Sequence, residues 1–599
     1  MRVLFTTTSK IFLVAITTLA LAMPQTRAVQ AEGDTVEAGV VGNGTPASCT
    51  EAALTVAVAG GGAISFNCGG PKTILILSEK SITQNTSIDG GGVITITGGL
   101  ATRLFSTISG AGTAVEMRNI TLDAGFSNNA SGAALRAFGP LTLTNVTIQN
   151  SIAGLGYCGG AVLISGDAFI SNSTFEKNTA TLGGGAICVR AQPTATVRIN
   201  NSLFNNNQAT DATTGLGGGL YVEFGNVAIL DSVFLTNRAH FGGAAYASSN
   251  NAVISLQGSP TNSVFASKMQ LNGNSATEDG GALYNKDGTL SINNAVITVN
   301  RTPTQTALAG YGGAIYNGGV LTLTNAIVSN NEGRYGGGIF VGNSVTAQAV
   351  LDHVFIARNI SGNLGGGLYM NTLTTTVTIS NSGFHRNMAV GSGGGLARTN
   401  SQLRIYNSSF TFNTAANGGG MLLQTVPSES SAGYVQLRNA TISGNTATSK
   451  GGGVFNFNSG VEFYFTTIVS NTNGVYSVSN ANSRFRSTVL QNPGSLNCDG
   501  DGTGQLSDDS KNFSTDTSCV LPNSQTGAGL DPKLGLFTFD PLGFTSFHAP
   551  LPGSPLINGG ASNCPERDQI GATRIGDCDI GAIEFGGLLP RAFMPVVAK

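Results

Sequence analysis

Tryptophan is absent from the 599 residues, histidine occurs four times, and charged side chains make up only 10% of the chain. Hydrophobic residues reach 41%, so the low charge is not joined to the low hydrophobicity of a disordered chain. Neither sign of charge is in excess: 30 Lys and Arg face 32 Asp and Glu, for a formal net charge of −2. Without surplus cations to neutralise phosphates, nucleic acid is not an expected partner. After residue 23 no run of 18 apolar residues occurs, so no later segment reads as a membrane-spanning helix. Helical periodicity is missing from every window. In its place stand 84 glycines, roughly twice the usual share, without the every-third-residue spacing of collagen.

The N-terminus sets the compartment. Arg2 and Lys10 precede an apolar run at 11–23, and small residues follow at Ala28 and Ala31. That order describes a secretory signal over 1–31, cleaved after Ala28 or Ala31. The mature chain is expected to be secreted or held at the cell surface, where disulfides persist. Pairing cysteines that are neighbours in sequence gives Cys49–Cys68, Cys498–Cys519 and Cys564–Cys578, each worth about 3 kcal/mol of loop entropy. Cys158 and Cys188 are expected to stay unbridged. Aligning their glycine motifs offsets them by about six positions, roughly 20 Å of strand, against a disulfide limit near 7 Å.

The middle of the chain is one repeat. GGAVL at 159, GGGAI at 183, GGGLY at 217, GGAIY at 312 and GGGVF at 451 belong to a series whose successive starts lie 24 to 38 residues apart. Between them recur NSTFEKN at 172, NSLFNNN at 201 and NSSFTFN at 407, each preceded by short alternating stretches such as LTLT at 141–144. Units of 24 residues with three short strands and tight turns describe coils of a right-handed parallel β-helix, an all-β solenoid. Propeller blades are too long and leucine-rich repeats need a different consensus. About 13 coils at ~4.8 Å each would give a rod about 60 Å long. Longer excursions near 206–216, 256–279, 302–311 and 424–434 would lie on its flanks.

Three columns follow from the alignment. Phe175, Phe204, Phe234, Ile297, Phe355, Phe384, Phe410 and Ile442 form an apolar one. Asn145, Asn172, Asn201, Asn294, Asn325, Asn381, Asn407 and Asn439 share a second position, and Asn178, Asn207, Asn237, Asn274, Asn300, Asn387, Asn413 and Asn445 a third. Stacked amides can hydrogen-bond along such a column, and asparagine tolerates a left-handed bend, so both columns are read as structural. Tyr221, Tyr246, Tyr284 and Tyr316 share a further column, whereas Tyr369 is an exposed aromatic suited to stacking on a glycan.

GGAIY at 312–316 and FEKN at 175–178 resemble the repeats of polymorphic outer-membrane proteins. The ends point more narrowly. GTPASCTEAAL, AISFNCGG and SIDGGG near the start, and DPKLG, HAPLPGSPLINGG, DQIGATR and CDIGAIEF near the end, resemble the bacterial choice-of-anchor Q domain proteins. That resemblance implies an exported right-handed β-helix and transfers no catalytic residue. The expected organisation is a signal at 1–31, an N-terminal cap at 32–94, coils at 95–490, an irregular disulfide-containing region at 491–585 and an apolar tail at 586–599. The tail lacks an LPxTG sorting signal and is too short to cross a membrane, so release or non-covalent surface association is expected.

No catalytic constellation stands out. Asp231 and Asp352 fall in one column but four coils apart, about 19 Å, beyond the 5–9.5 Å of paired glycosidase carboxylates. The densest polar patch is Asp352, His353, Arg358, His385 and Arg386 on successive coils. It is the densest place for a lyase-type site, and an ordinary solvated polar face is the preferred reading. Glu278 and Asp279 at a turn are read as solvated. No cofactor is expected; calcium is the single candidate. Asp499, Asp501 and Thr503 mimic positions 1, 3 and 5 of a calcium loop, but Ser510 stands where the bidentate Glu belongs. Asp508 and Asp509 could compensate, and a disulfide-closed turn is the simpler reading. The expected function is a monomeric extracellular scaffold that binds cell-surface glycans or other surface proteins. A carbohydrate-active lyase or hydrolase is the alternative, and an autotransporter lacks the strands for its barrel.

Overall fold

The computed structural model describes residues 39–589, apart from 111, 262–265, 306–308, 343, 373–375 and 427–433. The expected signal at 1–31 lies outside the described residues, as does the expected tail at 586–599 from residue 590 onward. The chain is a parallel β-solenoid of about 17 turns, more than the 13 that the glycine motifs alone mark. Parallel pairing begins with Gly39–Val41 on Gly62–Phe66 and runs to Phe513–Ser514 on Gln525–Thr526. Among the described residues no helix is long and apolar enough to cross a membrane.

One coil shows why the sequence folds this way. Strand Val320–Ser329 alternates buried and outward residues, with Asn325 bending it at φ 46°. Strand Glu332–Tyr335 follows, then a glycine corner at Gly336–Gly338, then Ile339–Gly342. The next coil repeats this in register, Leu323 beside Leu351 and Val328 beside Ile356. At the corner a Cβ on Gly313 would collide with the Gly337 carbonyl of the following coil, which is why the motif needs glycine there. Apolar side chains pointing inward stack into one continuous core; Phe175, Phe204 and Phe234 lie with ring centroids 5.0 and 4.4 Å apart. Phe355 does not belong to that column. Ile356 takes its place beside Phe384, and Phe355 faces outward.

Both columns of asparagine have a backbone explanation. Asn145, Asn172, Asn201, Asn294, Asn325, Asn381, Asn407 and Asn439 all have φ between 46° and 55°, a left-handed bend that asparagine adopts at small cost. Asp231 and His353 occupy the same position in their coils. Asp352 is therefore one residue short of that column, beside Thr324, and does not share it with Asp231. The other column is fully buried. Asn207 Nδ2 donates to Phe175 O and Asn237 Oδ1, and Asn207 Oδ1 accepts from the Asn178 backbone and side chain. This ladder continues unbroken to Asn497 through Asn331, Asn359, Asn471 and Asn492, which the sequence alignment leaves out.

All eight cysteines are paired. Cys49–Cys68, Cys498–Cys519 and Cys564–Cys578 form as expected. Cys158–Cys188 also forms, with Cα atoms 5.6 Å apart. Counting strand residues overestimates the separation, because Gly159 at φ 68° turns the chain back over the coil containing Cys188. Tyr369 is another correction: it lies 7% exposed, in an aromatic stack beside Phe340 on the face of its strand opposite the core-facing Leu368 and Met370.

The ends are closed differently. At the start the helix Glu51–Gly60 is capped by Thr50, whose hydroxyl accepts from Ala53 N, and it buries Leu54 and Val58 against the first coils. At the end, residues 531–589 fold back along the outside of the coils as a clasp. Its antiparallel pair, Thr538–Phe539 with Ser546–Phe547, turns at the DPLG sequence. The coil positions beneath it are small: a Cβ on Gly383 would meet Phe544 O, Ser409 accepts from Ser546 N, and Thr441 donates to Gln569.

Candidate functional site

Where the tip of the clasp meets the coils, a cleft of about 500 Å³ opens to solvent. Its floor comes from the outward positions of Val320–Ser329, Gln348–Ala357 and Gly383–His385, and one wall is Phe539 of the clasp hairpin. The rings form an aromatic lining: Phe355 lies 5.9 Å from His385 and 6.3 Å from Phe539, and His385 lies 5.5 Å from Phe539. Arg358 and Arg386 stand at exposed left-handed positions beside it, φ 55° and 54°.

Of the polar patch read from the sequence, His385, Arg358 and Arg386 reach this cleft, while Asp352 and His353 do not line it. His353 Nδ1 lies 2.9 Å from Asp352 Oδ2, and Asp352 Oδ1 accepts from Ser380 and Asn381. Burial raises the Asp352 carboxyl, but these donors outweigh it and hold it below the ordinary value. The pair closes a bend. His385 is the opposite case: burial, with Arg386 and Arg358 beside it, pushes it down to about 4, so it is neutral at physiological pH. Its Nδ1 is 2.9 Å from Thr411 Oγ1.

Among the described residues lining the cleft there is no carboxylate. What the cleft does offer is two permanent charges and stacked rings, the means of holding a sugar ring or an anionic group. Phe537 and Phe539 were not singled out by sequence. The alternating FTF at 537–539 was the available signal, and nothing local says where it docks.

The acidic residues near 500 are engaged individually. Asp501 accepts from Thr503 N, Asp508 from Ser510 N, Asn512, Asn523 N and Ser524, and Asp509 from Arg484. Asp499 accepts from Gly500 N. Among the described residues no three His, Cys, Asp or Glu are grouped to hold a metal ion. Asp279 is not solvated. It is buried, and burial pushes its carboxyl up to about 7 although Tyr311 N and Gly310 N donate to it.

The DQIG and CDIGAIEF sequences build the inner side of the clasp. Arg574 Nη1 donates to Glu584 at 2.9 Å with both side chains almost fully buried. Asp568 accepts from Ile570, Ala572 and Glu584 backbone N–H groups. Arg574 Nη2 donates to Asn439 Oδ1, and Thr467 accepts from Ala582 N.

Residues 172–190 and 269–286 match the Chlamydia polymorphic membrane protein repeat. Metabotropic glutamate receptor-like protein R of Dictyostelium discoideum is 27% identical over 200 residues, 33% of this chain and 11% of that protein. The chain thus spans about a tenth of that relative's length. PfbA, a surface adhesin of Streptococcus pneumoniae, aligns over 86% of this chain and 99% of its own at 12% identity and a TM-score of 0.24. The mannuronan C-5 epimerase AlgE4 A-module of Azotobacter vinelandii aligns over 82% and 98% at 14% identity and a TM-score of 0.20.

Proposed function

We propose that this chain is an exported extracellular or cell-surface β-helix scaffold whose lateral cleft binds a surface glycan or protein without catalysis. The observation that carries it is the cleft itself: aromatic rings and two arginines converge there without a carboxylate. Four disulfides suit an oxidising compartment, and the repeat match is to a family of membrane proteins. The coils carry polymorphic-membrane-protein-like repeats, and the clasp lies largely within the choice-of-anchor Q-like region at 491–585. Its role is to lock the end of the solenoid and supply Phe539 to the cleft.

The test is binding of the secreted chain to cells and to a glycan panel, compared with Phe539→Ala and Arg386→Gln. Either substitution should weaken binding about tenfold, the loss of one stacking or charge-assisted contact. New reducing ends or unsaturated products would instead establish the carbohydrate-active alternative, for which the neutral His385 would be the base. Fractionating cells that express the full chain or a form truncated after Phe585 tests retention. Surface binding of the full chain with free release of the truncated one would make the tail an anchor.

A further inference from the structure

We propose that the outward face between strands Val435–Ser443 and Gln505–Ser510 is a groove that binds a polysaccharide of uronic acids through its carboxylates. The proposal rests on the glycan-binding reading above and names where the ligand's charge would be recognised. Register builds the site. Gln436, Glu462 and Arg484 stand in one outward column, and Arg438, Tyr464 and Arg486 in the next. Together they line a groove of about 390 Å³, away from the aromatic cleft.

The centre of the groove is Tyr464. Arg438 from the coil before lies 5.4 Å from its ring centroid and Arg486 from the coil after lies 5.2 Å away. Its hydroxyl donates to Asn563 O of the clasp, which fixes the ring. With a guanidinium from each neighbouring coil against it, the ring has no free face on which a neutral sugar could stack. Recognition here must be ionic.

The charges are unevenly matched. Arg484 holds both carboxylates of the groove, donating to Asp509 at 3.0 and 3.1 Å and approaching Glu462 at 3.7 Å. Among the described residues no carboxylate pairs with Arg438 or Arg486, and Arg486 Nε is buried without a hydrogen-bond partner. The planar forks of Arg438 and Arg486 suit carboxylates, and Arg484 Nη2 on Asp509 shows a guanidinium–carboxylate contact in this groove. Arg438 and Arg486 are two coils apart, roughly 10 Å. A stretched acidic chain lying along the solenoid axis therefore meets a guanidinium at each end of that span.

The test measures binding of the full secreted chain to oligogalacturonate, to its methyl ester and to dextran sulfate. Arg438→Gln/Arg486→Gln should weaken oligogalacturonate binding at least tenfold, and the wild type should not bind the ester. If the double variant melts lower, the single Arg438→Gln replaces it, leaving Arg486 in place, with at least a threefold loss expected. Equal affinity for dextran sulfate would overturn the carboxylate assignment. Unchanged oligogalacturonate affinity in the variants would overturn the groove while leaving the scaffold reading intact, provided Arg386→Gln still weakens glycan binding. A wild type that binds no glycan and no cell would overturn both.

Discussion

In the coils, Asn207 is fully buried and makes its hydrogen bonds to groups one coil away, all of them neutral. In the clasp, Arg574 and Glu584 lie just as deep, as an ion pair, and Arg574 reaches Asn439, 135 residues distant in sequence. The contrast shows what repetition permits. A stacked coil meets a copy of itself, so one neutral amide can satisfy and be satisfied by its equivalents without any desolvated charge. The clasp lands once on a surface unlike itself. Besides neutral bonds to the coils it uses buried ions of its own, whose burial is expensive unless each is matched. Asp568, Arg574 and Glu584 are therefore a conditional lock on an unconditional rod.

Removing one ion should expose that difference most strongly. Arg574→Met leaves Glu584 buried with only the Ile575 and Asp579 backbone N–H groups as donors. The expected loss is about 3–5 kcal/mol, confined to the clasp. Limited proteolysis should cut within 531–589 while hydrogen exchange in the coils stays slow. Simultaneous exposure of the coils would mean that the two regions unfold as one unit.

The ladder gives the next largest effect. Asn300→Ala removes the oxygen that accepts from Asn274 N and Nδ2, and the amide that donates to Leu271 O and Asn331. Orphaning two buried donors should cost roughly 3 kcal/mol. Denaturant unfolding should register this loss equally at pH 5 and pH 8, since nothing in the ladder titrates. A pH-dependent loss would mean that the ladder is coupled to the clasp.

The same contrast decides what the sequence makes legible. The coil type, its 24-residue floor and most of the ladder can be read from recurring Asn and Gly, because each contact recurs with them. Reading failed where the pattern slips by one residue: His353 takes the bend that asparagine usually occupies, so Asp352 and Phe355 were each placed one column off. It failed again at Cys158, where distance was counted along a strand although Gly159 reverses the chain. The cleft and the groove are harder still. Phe539 is brought to Phe355 by a fold-back that no local pattern announces, and Arg438, Tyr464 and Arg486 are outward residues without a repeat signature. Counting register from asparagine bends would not have aligned those three, because only Asn439 marks its bend with asparagine and Phe465 and Ser487 take the equivalent positions.

The smallest expected effect is the pH response of the clasp, because buried groups oppose each other there, Asp568 and Asp579 raised by burial and His548 lowered by it. Burial raises Asp568 to about 6, so the folded clasp holds that proton more tightly than the unfolded chain does. Its contribution is complete below the ordinary aspartate range and is lost as pH rises through about 6. His548 runs the other way. Its Nδ1 donates to Gly535 O, its Nε2 lies 2.9 Å from Ser443 Oγ, and burial lowers its pKa. That contribution is complete above the ordinary histidine value and is lost as pH falls below it. The wild-type clasp should therefore change little between pH 5 and 7, with each opposing part no more than about 3 kcal/mol for two pH units. His548→Gln removes one side of the balance. In that variant proteolysis of 531–589 should slow as pH falls below about 6, and a flat profile would show that neither Asp568 nor Asp579 controls the clasp.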